Sequence, residues 1–138
     1  MREFNLSHAV SAYSTYASAM NSLWGLYIVA TFSAAGFGAT MGRRFTTDIA
    51  LILTIAYLAF AAGHLRALMV TLNRQQIIAT EVIEQLQAGG ETLTPYPRSI
   101  AAITAKALSR SAIWVIHLTI DACIVGVMWR SAIHADLK

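Results

Sequence analysis

One uninterrupted apolar run limits this chain more than any other feature: Ala112 to Trp129, closed by Arg110 on one side and Arg130 on the other. It reads AIWVIHLTIDACIVGVMW. A helix of this composition suits a bilayer, whose hydrocarbon core of ~30 Å takes about 20 residues. Yet His117 and Asp121 lie in its middle, one helical turn apart. A carboxylate at that depth costs at least ~2.5–3.5 kcal/mol on insertion scales. Any fold of this chain must therefore give the acid a hydrogen-bond partner, a proton or water.

Two more gaps in the charge pattern complete the picture. No Asp, Glu, Lys or Arg stands between Glu3 and Arg43, or between Asp48 and Arg66. Spans are expected at about 20–42, 48–68 and 112–130. With 57% hydrophobic and 12% charged residues, the chain departs from soluble domains, where about a quarter of residues are charged. Three such helices cannot hide their apolar surface from water among themselves. The expected fold class is all-α: an integral membrane protein of three long transmembrane helices that extend into a short helical stalk on one side. The net charge of +3 sits at span ends, which favours contact with membrane lipid over binding of a nucleic-acid duplex. The lone Cys123, inside the third span, has no partner for an intrachain disulfide. The opening residues do not follow the pattern of a secretory signal.

Caps and breakers place the elements. Helix 1 is expected over about 5–42, from a cap at Asn5 or Ser7 to Gly42. Helix 2 is expected over about 47–88, with Thr46 or Thr47 as cap and Gly89-Gly90 as stop. Helix 3 is expected over about 98–135, after a loop that Pro95 and Pro97 keep from coiling. Each would be roughly 40 residues, about 60 Å long. Segments 5–19, 69–88 and 98–111 would form the stalk of a single membrane domain, 1–138. Arg2, Arg66, Arg74, Arg98, Lys106 and Arg110 fall on the stalk side, against Arg43, Arg44, Arg130 and Lys138 on the other. That excess orients the N-terminus and stalk to the cytoplasm, in a bacterial inner membrane, although the Arg43-Arg44 pair pulls the other way.

Depth then groups the polar residues. His117 and Asp121 share a helix face, about 6 Å apart along the axis. His64, on the oppositely directed helix 2, should lie a few ångströms further toward the stalk. The three form a polar column with Arg66 at its mouth. Such a column can line a pore or gate built by several copies, or lock helices together by hydrogen bonds. It can also offer His64 and His117 as axial ligands to a haem, the one cofactor weighed; otherwise neither cofactor nor metal is expected.

Ala30, Ala34, Gly38 and Gly42 recur every fourth position on helix 1; Ala59, Gly63, Ala67 and Ala122, Gly126 do so on the others. Ridges of small residues allow close helix approach in lipid, so a homo-oligomer packed through the first ridge is expected. Trp24, Tyr27, Trp114 and Trp129 read as interfacial belt residues. Arg98, Lys106 and Arg110 form a stripe suited to Glu81, to lipid headgroups, or to an anionic small-molecule ligand or cytoplasmic partner at the stalk. No phosphate-cradling loop, metal-ligand spacing or nucleophile triad is present, so no enzyme and no catalytic residue is expected. By analogy with small bacterial multi-span proteins, the expectation is a homo-oligomeric channel or pore, in its fullest form a ligand-gated membrane effector. The alternative is a non-conducting anchor or accessory subunit of a membrane complex, in its sharpest form haem-binding.

Overall fold

The computed structural model describes residues 6–41, 44–88 and 109–136. Its helices are α1 (Leu6–Thr40), α2 (Thr47–Ala88) and α3 (Arg110–Asp136). All three are long and apolar enough to cross a membrane. Thr46 precedes α2 as its cap, its carbonyl accepting the first helical bond from Ala50 N at 3.0 Å. Asp48 stands in the first turn, where the helix dipole favours an acid.

The third helix is shorter than its sequence suggested. Ser109 lies outside it and Arg110 opens it, so the stretch expected to run unbroken from Arg98 is interrupted. Serine at that position is a favoured cap, because its hydroxyl competes with helical bonding. The segment 98–108, with Arg98 and Lys106, lies outside the described residues, as do Gly42 and Arg43.

By its contacts the chain falls into two compact units. The first comprises 1–22 and 68–109. Here Val10 and Tyr13 of α1 pack on Ile78 and Ala79 of α2. The hydroxyls on the exposed side of α1 turn back on their own helix, Ser14 and Thr15 both donating to the Ser11 carbonyl.

The second unit comprises 23–67 and 110–138. Within it α1 and α3 run parallel and α2 runs antiparallel to both. The register follows from paired contacts: Tyr27 meets Asp121 and Gly38 meets Met128, whereas Tyr57 meets Asp121 and His64 meets His117. At one end Phe45, Ala50, Tyr57, Met128 and Ala132 form the core, with Ala34, Met41 and Leu53 against them. Outside, Phe32 of α1 is 72% exposed, Ile52 of α2 67% and Val115 of α3 64%. Side chains this apolar and this open on every helix require a hydrocarbon or protein environment.

Trp129 of α3 fastens to α2 near this core, its Nε1–H donating to Thr54 Oγ1 at 3.1 Å. Thr54 in turn donates to the Ala50 carbonyl at 2.7 Å. Trp129→Phe keeps most of the ring and removes the donor. It should lower stability by about 0.6–1.7 kcal/mol, from the average to the upper end for one interhelical bond in lipid, read as an earlier midpoint in detergent unfolding.

Candidate functional site

The second unit carries a closed polar network around Asp121. On α3, Asp121 and His117 are one turn apart, so both project into the same inter-helix space. Their contact, His117 Nδ1 to Asp121 Oδ2, is 2.8 Å. Oδ1 of the carboxyl accepts two hydroxyls, from Tyr27 of α1 at 2.7 Å and from Tyr57 of α2 at 2.8 Å. The Tyr27 hydroxyl also lies 3.3 Å from the His117 carbonyl. Because Tyr57 spends its proton on Asp121, its 3.4 Å contact with Thr31 Oγ1 has Thr31 as donor.

The network continues away from Asp121. His117 Nε2 lies 3.1 Å from His64 Nδ1, and His64 Nε2 lies 2.9 Å from the Leu23 carbonyl of α1. The Tyr27 ring stacks on both imidazoles, with centroids 4.1 Å from His117 and 4.9 Å from His64. Phe60 covers the other side of His64 at 5.7 Å. Three helices thus supply one hydrogen-bonded chain, from Thr31 and Tyr57 through Asp121, His117 and His64 to the Leu23 backbone. No buried side-chain nitrogen or oxygen among the described residues lacks a partner.

The acid is shielded by the protein itself. His117 is 0% exposed, His64 5% and Asp121 7%. The polar column expected from depth therefore exists for Asp121, His117 and His64, but it points into the bundle. Arg66 does not join it and is exposed. Residues two apart on a helix do not face the same way, which separates Arg66 from His64. Tyr27, expected at the interface, is instead 1% exposed and central to the network. Tyr57 and Thr31 were not anticipated at all. Spacing carried a signal for them: Thr31 follows Tyr27 by one turn and Tyr57 precedes His64 by two.

His64 and His117, the residues weighed as haem ligands, contact each other in this arrangement. Axial ligation places a porphyrin plane between two ring nitrogens, whereas these nitrogens touch at 3.1 Å and the rings stack with 28° between planes. The described residues hold no group of three or more His, Cys, Asp or Glu arranged for a metal ion.

The small residues are also placed differently from expectation. Gly38 is buried, and a Cβ there would meet the Phe45 ring at 3.5 Å and the Met128 backbone at 3.7 Å. Ala34 packs on the same core, and Ala30 is half-buried. The ridge assigned to oligomer packing is thus largely used within the chain. Of the ridge residues on the other helices, Ala59 and Gly63 on α2 and Ala122 and Gly126 on α3 are exposed, and both glycines have open space around them. Of the basic stripe only Arg110 is described, exposed at the start of α3.

Compared with models of known protein families, with curated proteins and with solved structures, the chain matches none.

Proposed function

We propose that this protein is a non-conducting membrane subunit, a three-span module clasped from within by the Asp121 network and assembling through its apolar exterior. The observation that carries this reading is the inward direction of His64, His117 and Asp121, each hydrogen-bonded inside one chain. A pore built by several copies needs such groups on the surfaces that copies share. Here those surfaces carry Phe32, Ile52, Ile55, Val115 and Leu118, which suit lipid tails or neighbouring helices. Ion conduction would require Asp121 to rotate out of three hydrogen bonds.

Self-association belongs to the same reading. Its contact faces are the outward small residues Ala59 and Gly63 of α2 and Ala122 and Gly126 of α3, where backbones can approach closely. The sequence excess of Lys and Arg on the expected stalk side favours a cytoplasmic stalk by the positive-inside tendency.

Two measurements test the proposal. In liposomes the wild-type protein should pass ions no faster than protein-free vesicles. A sustained flux that Asp121→Asn alters would overturn the non-conducting reading. In mild detergent the protein should have the mass of more than one copy, and Gly126→Leu should reduce it to one. A monomeric wild type removes the self-association part.

A further inference from the structure

We infer that Asp121, His117 and His64 form a proton-binding site that holds three protons in three gaps and can shift them between α3 and α2. The gaps are Asp121 Oδ2 to His117 Nδ1, His117 Nε2 to His64 Nδ1, and His64 Nε2 to the Leu23 carbonyl, at 2.8, 3.1 and 2.9 Å. At such separations each gap needs one hydrogen. A carbonyl oxygen only accepts, so the third gap has its proton on His64 Nε2. The ordinary protonation, an ionised carboxylate beside two neutral imidazoles, supplies only two protons. It leaves two nitrogen lone pairs facing each other across the middle gap, which repel. The contact is attractive only with a third proton.

Three arrangements satisfy that count. In one, Asp121 is ionised and His117 carries protons on both nitrogens. Moving the proton from His117 Nε2 to His64 Nδ1 breaks one N–H bond, forms another, and shifts the positive charge from α3 to α2. Moving instead the proton on His117 Nδ1 to Asp121 Oδ2 yields a neutral acid and two neutral imidazoles. Every form has zero net charge, and no heavy atom moves between them. This neutrality is what lets a carboxyl and two imidazoles share a bilayer interior, where an unbalanced charge is expensive.

The site has two ends and neither leads through. The Leu23 carbonyl cannot carry a proton onward, and Asp121 Oδ1 is capped by the hydroxyls of Tyr27 and Tyr57. Protons therefore relocate inside the network rather than cross the membrane. The titratable groups facing His117 are Tyr27 from α1, His64 from α2 and Asp121 from α3, with Tyr57 of α2 meeting it through the carboxyl. A fourth proton has no gap of its own. It puts two donors face to face between His64 and His117 and breaks that contact between α2 and α3, leaving Tyr57–Asp121 and Trp129–Thr54 to join them. Loss of one of the three protons breaks the same His64–His117 contact by lone-pair repulsion. The site is thus closed in one protonation state only.

This inference uses the same inward network as the clasp reading, and a different readout tests it. Solid-state nitrogen NMR on 15N-histidine-labelled protein in lipid bilayers reports which ring nitrogens carry protons. At neutral pH the wild type should show a single N–H···N bridge, with coupling between His117 Nε2 and His64 Nδ1. Acidification should abolish that coupling in one step. In Asp121→Asn the side-chain amide can donate to His117 Nδ1, so the bridge should persist with that nitrogen held bare. His64→Phe should lose the bridge completely. Finding His117 Nε2 and His64 Nδ1 both bare, or both protonated, in the neutral wild type overturns the inference, whatever the flux measurement gives.

Discussion

Replacing Asp121 by alanine should push the two steps of membrane folding in opposite directions. Insertion of α3 on its own becomes easier by about 2.5–3.5 kcal/mol, the cost of an acid at the helix centre. Association of α3 with α1 and α2 becomes harder. Tyr27 and Tyr57 lose their acceptor and His117 Nδ1 loses its partner at once. In bilayers an interhelical hydrogen bond averages about 0.6 kcal/mol, because a separated helix also finds partners. Two of these bonds, from Tyr27 and Tyr57, join helices; with both phenols and His117 then left unpaired in the interior, the loss comes to about 2–4 kcal/mol. Glycosylation mapping of isolated α3 reads the first effect, and SDS titration in mixed micelles reads the second. Asp121→Asn should keep most of the association, since its oxygen can accept both tyrosines and its N–H can reach His117 Nδ1. Alanine and asparagine variants that unfold together with the wild type would show that the network clasps nothing.

Some of this site was legible in the sequence because depth along a helix is simple arithmetic. Asp121 and His117 fall one turn apart at mid-span, and counting inward from Asp48 on the antiparallel helix brings His64 near them. The structure joins these residues in one chain of contacts. Azimuth was less legible. Tyr27 has the same amphipathic ring whether its hydroxyl reaches headgroups or a buried carboxyl, and only the Thr31 spacing hinted at the second. The Ala30–Ala34–Gly38 ridge showed that something approaches α1 closely, but not what. The neighbours proved to be Phe45, from the connection just after α1, and the Met128 backbone. The interruption at Ser109 was not read from the sequence, because a serine there can act as a cap as readily as it can continue a helix. The presence of the helices and their order follow from local chemistry. Which face turns inward depends on partners far along the chain.

Exchanging the whole network for hydrocarbon should undo most of the damage that a single exchange causes. The variant carries Tyr27→Phe, Tyr57→Phe, His64→Phe, His117→Phe and Asp121→Leu, which removes every polar side-chain atom of the cluster except the Thr31 hydroxyl and adds some volume at positions 64, 117 and 121. His117→Phe alone strands Asp121 Oδ2 and His64 Nδ1 in a dry interior, and removing one partner of a buried charged pair typically costs about 3–5 kcal/mol. The fivefold variant strands neither of them. Buried ionic clusters replaced by well-packed apolar groups are often neutral or stabilised by about 1–4 kcal/mol, and insertion of α3 also becomes easier. Its midpoint in SDS titration should therefore lie at or above that of the wild type and well above that of His117→Phe. This outcome would mean that stability alone does not explain a carboxyl, two imidazoles and two phenols at the centre of the bundle. Their chemistry, in which protons can move while the charge stays balanced, would then be what the network supplies and phenylalanine cannot. A fivefold variant less stable than His117→Phe would instead show that hydrogen-bond geometry is itself the dominant force joining these helices.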